Sequence, residues 1–125
     1  MQLRICQQNI NKSLVAQTDL LHRLDPNTYN IAALQEPYLD HNNNTHANPH
    51  WYTIYPMEHY IAPEKTISII FLNKCIATDS WTQVDFASSD VSAVQVQMAA
   101  GKLLIINTYN HCTNANAIDC VLCIM

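Results

Sequence analysis

The chain has 125 residues and a formal net charge of −4, with only six lysine and arginine residues in total. This length corresponds to one domain, so we expect a single domain over residues 1–125. The few basic residues argue against a dedicated electrostatic DNA binder, because such proteins usually carry a basic patch.

The first part of the chain predicts a strand, a helix and a second strand. Residues 3–9 alternate apolar and polar side chains, which predicts a strand. Residues 14–24 predict a helix. The apolar run at residues 31–34 predicts a central strand that is buried on both faces. This order predicts a βαβ-like unit.

The predicted helix has clear start and stop signals. Residues 11–13 offer capping side chains, and Asp25 followed by Pro26 ends the helical pattern. We expect its buried face to carry the leucines at helical spacing, which are Leu14, Leu21 and Leu24 with Leu20 beside them.

The rest of the chain is rich in strand patterns. A polar loop is predicted over residues 40–50, and Gly101 marks a hairpin turn. Apolar spacing after residue 113 predicts the start of a further helix. The predicted strands cover residues 51–55, 66–73, 81–86, 91–98 and 103–110.

Polar side chains stand where three of the predicted strands end. Asn9 closes the first strand, Glu36 follows the second, and residues 107–110 close the last. In layered α/β sheets, ligands bind outside the strand ends. Amide and carboxylate oxygens are hard donors that suit Mg²⁺ or Mn²⁺ better than zinc.

Five segments, in this order, resemble the endonuclease/exonuclease/phosphatase superfamily. They are most similar to the apurinic-type endonuclease domain of non-long-terminal-repeat retrotransposons, over about residues 3–118. The segments are QQNINKS, ALQEPYLD, SIIFLN, SSDVSAVQV and LLIINTYN. The resemblance implies an α/β (or α+β) fold, here half of a four-layer sandwich with mixed β-sheets.

The resemblance also implies roles for individual residues. Glu36 matches the main metal ligand, and Asn9 matches an asparagine that helps to hold the metal and the scissile phosphate. Tyr109 matches a tyrosine that reaches the phosphate, and Asn11 and Asn110 are expected to contact substrate. The implied reaction is metal-dependent hydrolysis of DNA phosphodiesters with Mg²⁺ or Mn²⁺.

The chain departs from the family pattern after residue 110. The family's second half supplies an Asp-x-Asn motif and a final Ser-Asp-His, but only Asp119 and His111 follow here, without the right neighbours. The earlier pair Ser89-Asp90 precedes the last strand and is no substitute. We therefore expect an N-terminal half-domain, incomplete at its C-terminus and inactive by itself.

Simpler interpretations remain open for each site residue. Glu36 would be a surface charge at a strand end, Asn9 an amide that caps the following turn, and Tyr109 a cross-strand aromatic residue. The histidines of the 40–50 loop would be solvated, not zinc ligands.

Two other functions also remain open. A half-sandwich would expose an apolar sheet face and act as a non-catalytic module, with possible self-association through that face. The chain would otherwise be a decayed transposon fragment without a cellular role.

Compartment is inferred from what the sequence lacks. No apolar run approaches the roughly 20 residues of a membrane helix, and the first ten residues lack a signal-peptide core. The five cysteines show no disulfide spacing, and the pair Cys120 and Cys123 lacks the context of a redox or zinc motif. We expect an intracellular protein, nuclear or cytoplasmic, without membrane contact.

Overall fold

The computed structural model describes residues 3–109, and every predicted strand is confirmed within this range. The predicted helix after residue 113 lies outside it, as do Asn110, Cys120 and Cys123. The elements are β1 (Ile5–Asn9), α1 (Leu14–Arg23), β2 (Ile31–Gln35), β3 (Trp51–Ile54), β4 (Ser68–Asn73), β5 (Trp81–Val84), β6 (Val91–Met98) and β7 (Gly101–Thr108).

The first sheet is mixed and has the strand order β1-β2-β4-β3. β1 and β2 are parallel, with Ile5 opposite Ile31 and Asn9 opposite Gln35, which confirms the βαβ unit. β4 runs antiparallel to both β2 and β3. All five residues of β2 are buried, which confirms the prediction for the apolar run at residues 31–34 and adds Gln35.

Helix α1 covers one face of the first sheet. The Ser13 hydroxyl accepts a hydrogen bond from the Ala16 amide at 3.1 Å and caps the helix. The prediction that Leu14 is buried is wrong, since 42% of it is exposed. The buried stripe starts one turn later and consists of Gln17, Leu20, Leu21 and Leu24.

The second sheet is antiparallel, with the order β5-β6-β7, and packs on the other face of the first sheet. Gly101 makes the β6–β7 hairpin with φ 138°, a backbone region that favours glycine. The core between the sheets is aliphatic and consists of Ile31, Ile54, Ile70, Leu72, Ile76, Val94 and Val96. Helix, mixed sheet and antiparallel sheet form three stacked layers, so the predicted α/β sandwich is confirmed.

No helix within residues 3–109 is long and apolar enough to cross a membrane.

Candidate metal and phosphate site

The predicted site residues gather at one edge of the first sheet. Because β1 and β2 are parallel, their carboxyl ends meet at the same edge, with Asn9 opposite Gln35 and Glu36 next in the chain. β2 stops here because Pro37 has no amide proton to continue the ladder. The edge of the sheet therefore carries both predicted metal ligands.

The backbone of Glu36 is held from both sides. Its carbonyl oxygen accepts a hydrogen bond from the Lys12 amide at 2.8 Å, and its amide donates to the Ile67 carbonyl at 2.9 Å. Ile67 in turn donates to the carbonyl of Ser89 at 3.3 Å. Glu36 is thereby tied to the β1–α1 turn, to β4 and to the turn that precedes β6.

Glu36 has a left-handed backbone conformation, with φ 49°. Two residues of the neighbouring turn share this region, Asn11 with φ 57° and Lys12 with φ 58°. For a residue with a Cβ atom other than asparagine or aspartate, the left-handed region costs roughly 1–2 kcal/mol, so the cost applies to Glu36 and Lys12. Strained positions of this kind cluster at functional sites, because the surrounding structure must hold them in place.

Tyr109 contacts Glu36 across the two sheets. Its hydroxyl donates a hydrogen bond to Glu36 Oε1 at 3.2 Å, although the two residues are 73 positions apart in the sequence. The Tyr109 amide donates to the Asp90 carbonyl at 2.9 Å, which fixes the residue just after β7. A contact of Tyr109 with phosphate stays a prediction.

Asn9 is exposed, and its side chain caps the following turn. Its Oδ1 accepts a hydrogen bond from the Asn11 amide at 2.9 Å. An amide oxygen has two lone pairs, so this bond leaves room for a metal ion. Asn11 is itself exposed at the turn, and Asn110 lies outside the described residues.

The burial and the hydrogen bonds of two amides beneath this edge were not predicted. Gln35 donates a hydrogen bond to Asn107 Oδ1, and Asn107 Nδ2 donates to the carbonyls of Leu34 at 2.9 Å and Ile69 at 2.7 Å. The signal in the sequence was a single amide at the end of each apolar run, in IAALQ and in LLIIN.

Gln17 fixes the loop that follows Glu36. It is fully buried in α1, and its Oε1 accepts a hydrogen bond from the Tyr38 amide at 2.8 Å. Its Nε2 donates to Thr45 Oγ1 at 2.7 Å and to the His46 carbonyl at 2.6 Å. The loop thus has a defined shape beside the site.

A groove of about 260 Å³ opens next to Glu36. A larger groove of about 390 Å³ lies at the other end of the second sheet, around Trp81 and Lys102, and shares no residue with this edge. The groove beside Glu36 is lined by Lys12, Pro37, Tyr38, Leu39, Asn43, Glu64 and Thr66.

The donors at this edge fit an open magnesium site better than a closed metal site. No group of three or more His, Cys, Asp or Glu side chains within residues 3–109 is arranged to hold a metal ion. Mg²⁺ is commonly bound by one or two carboxylates and keeps waters or phosphate oxygens as its other ligands. The carboxylate of Glu36 and the amide oxygen of Asn9 match that pattern.

The histidine-rich loop does not form an alternative site in the described structure. His41, His46 and His50 are all exposed. The Asp40 carboxylate accepts hydrogen bonds from the backbone amides of Asn44 and Asn42, which hold its pKa below the usual value. The Asp40 carboxylate therefore stabilises the turn of the loop in which it lies.

The arrangement of the strands is similar to that of a solved nuclease domain. The chain matches the endonuclease domain of TRAS1, a telomere-specific non-LTR retrotransposon, with a TM-score of 0.62 and 14% sequence identity. The match covers 88% of this chain and 45% of that chain, so this chain spans less than half the length of that domain. The predicted endonuclease-like fold is confirmed, and the likeness at this identity shows the fold alone.

No protein-family model matches the chain, and no curated protein matches it in sequence.

Proposed function

We propose that this chain is, by descent, a metal-dependent DNA endonuclease domain of a nuclear or cytoplasmic protein, and that it is catalytically incomplete by itself. The main support comes from the backbone conformation of Glu36 and from the hydrogen bond that its carboxylate accepts. It lies at a sheet edge in a strained conformation with φ 49°, and its carboxylate accepts a hydrogen bond from Tyr109 at 3.2 Å. A surface charge at a strand end would need neither the strain nor the partner.

Each predicted site residue has a role in this function. Glu36 and Asn9 hold Mg²⁺ or Mn²⁺, which would neutralise charge that develops on the phosphate. Tyr109 orients the Glu36 carboxylate through its hydroxyl and contacts the phosphate. Asn11 and Asn110 contact the DNA backbone beside the scissile bond.

A polypeptide of these 125 residues should cut slowly or not at all. Neither Asp-x-Asn nor Ser-Asp-His follows Tyr109 in this sequence, so no general base is supplied for the attacking water. General-base catalysis alone contributes roughly 10²–10⁴-fold to the rate.

Metal binding tests the proposal directly. Binding of Mn²⁺, measured by water-proton relaxation, should be weak in the wild type and about tenfold weaker in Glu36→Gln, since one ligand is lost. Glu64→Gln is the matched control, because Glu64 is an exposed carboxylate in the adjoining groove. Equal effects of the two substitutions, or no binding to the wild type, would contradict the metal site.

Plasmid nicking in Mn²⁺ tests the incompleteness separately. We expect little or no conversion of supercoiled to open-circular DNA. Robust nicking that Glu36→Ala abolishes would confirm the endonuclease and show that this chain needs no further residues.

A second candidate function is a non-catalytic module that pairs with a second copy of itself. It is favoured by exposed apolar residues on the inner faces of β1 and β7, which are edge strands of the two sheets. Ile5 is 44% exposed and Leu103 is 40% exposed, although their neighbours Ile31 and Ile105 pack into the core between the sheets.

A further inference from the structure

Asn107 joins the two sheets directly below the candidate site. It belongs to β7 in the second sheet and is 3% exposed. Its Nδ2 donates to carbonyls of two adjacent strands in the first sheet, Leu34 of β2 at 2.9 Å and Ile69 of β4 at 2.7 Å. Its own carbonyl accepts a hydrogen bond from the Ser68 hydroxyl at 2.8 Å.

Gln35 connects this amide to the first strand. Its Nε2 donates to Asn107 Oδ1, and its Oε1 accepts a hydrogen bond from Gln7 of β1. The side-chain amides of Gln7, Gln35 and Asn107 are therefore connected by hydrogen bonds across β1, β2 and β7, and we call this set the amide line. Gln7 is exposed, whereas Gln35 and Asn107 are buried. Buried amides are costly unless satisfied, so the geometry that these two impose is specific.

The amide line lies next to both residues of the Glu36–Tyr109 contact. Gln35 precedes Glu36 directly, and Asn107 of β7 lies two residues before Tyr109 in the sequence. Asn107 also bonds the carbonyl of Leu34, two residues before Glu36. A shift of one sheet over the other by about 1 Å would lengthen this 3.2 Å contact beyond hydrogen-bond range.

We propose that Gln35 and Asn107 are positioning residues, which set the stacking of the two sheets so that Tyr109 meets Glu36. The proposal rests on the metal-dependent function above, because it assigns the amides to the geometry of that same site. The alternative is that they stabilise the fold and leave the site unaffected.

Asn73 provides a control for the purely structural role. It is also a buried asparagine of the first sheet, 2% exposed, and its Nδ2 also donates to two backbone carbonyls, Pro26 at 2.7 Å and Tyr29 at 2.9 Å. It lies at the far end of β4, opposite the edge that carries Glu36. Asn73→Ala therefore removes a similar set of hydrogen bonds at a distance from the site.

The experiment compares Asn107→Ala with Asn73→Ala at a temperature where circular dichroism shows both to be folded. We expect both to lower the urea midpoint. Only Asn107→Ala should weaken Mn²⁺ binding, by about tenfold. Only Asn107→Ala should reduce the nuclear Overhauser contacts between the Tyr109 ring and the Glu36 side chain.

Gln35→Met is the second variant, because it removes the central amide at nearly constant volume and leaves the two backbone bonds of Asn107 in place. It should act in the same direction, and it decides the matter if Asn107→Ala does not fold. Wild-type Overhauser contacts in Asn107→Ala and Gln35→Met would overturn the proposal, and so would an unchanged Mn²⁺ affinity. If the wild type binds no Mn²⁺, the proposed function fails, and the Overhauser contacts alone decide the positioning role.

Discussion

At the scale of single residues, the backbone of Glu36 is as informative as its charge. A left-handed conformation with φ 49° is unfavourable for a glutamate, yet two hydrogen bonds hold its backbone there. A residue kept in an unfavourable conformation suggests a requirement other than stability. The best residue for stability at this position should therefore differ from the one that is present.

We predict that Glu36→Asn leaves the free energy of unfolding unchanged or raises it by up to about 1 kcal/mol, because asparagine tolerates the left-handed region. Glu36→Val should lower it by about 1–2 kcal/mol, since a β-branched side chain fits this region poorly. Urea denaturation measures both values. A larger loss in the asparagine variant than in the valine variant would contradict the interpretation of strain.

At the scale of elements, the β3–β4 connection is anchored by a buried histidine. His59 is 8% exposed and lies in the 3-10 turn Met57–Tyr60. Its ring stacks on Tyr55 with centroids 3.8 Å apart, and Tyr60 meets it edge-on at 5.9 Å. Its Nδ1 lies 2.6 Å from Thr66 Oγ1, one residue before Ile67, which binds the Glu36 amide.

Burial lowers the pKa of His59 below the ordinary histidine value of 6.5. The unfolded chain therefore binds more protons than the folded protein as the pH falls through about 6.5, and stability present above this pH is progressively lost below it. We predict that the free energy of unfolding falls from pH 7 to pH 5 more steeply in the wild type than in His59→Phe. Urea titrations at both pH values test this, and parallel losses in the two proteins would contradict it.

At the scale of the whole molecule, the proposed self-association concerns the edge strands β1 and β7. The outer face of the second sheet has buried apolar side chains at its centre, namely Phe86, Val91 and Ala93. Among the exposed apolar side chains, Ile5 and Leu103 lie on the inner faces of β1 and β7. The proposed self-association would bury the seam between the sheets at these two strands.

We predict that the wild type, with a monomer mass of 14.2 kDa, shifts towards a dimer as its concentration rises in size-exclusion chromatography with light scattering. Leu103→Glu should stay monomeric, because a charge would have to be buried in the seam. Val15→Glu is the control, since Val15 is 81% exposed on α1 and lies away from the seam. A wild type that is monomeric at every concentration would rule out this candidate function.

Much of the fold followed from short-range patterns. The fully apolar run at residues 31–34 predicted the central strand, Ser13 supplied the helix cap, and Gly101 marked the hairpin. These signals are local, because strand alternation, capping and turn chemistry depend on residues a few positions apart. The burial of Leu14 was predicted wrongly, since helical spacing does not show where along the helix the sheet contact begins.

The sequence by itself determined the βαβ unit, the Gly101 hairpin and the placement of Asn9 and Glu36 at one edge, because these depend on local patterns and strand direction. Only the tertiary structure decided the left-handed backbone of Glu36, its contact with Tyr109 and the amide line through Gln35 and Asn107. The last pair is 72 positions apart, and its partners are chosen by how one sheet stacks on the other. No local pattern encodes that stacking, since it results from the packing of the whole core.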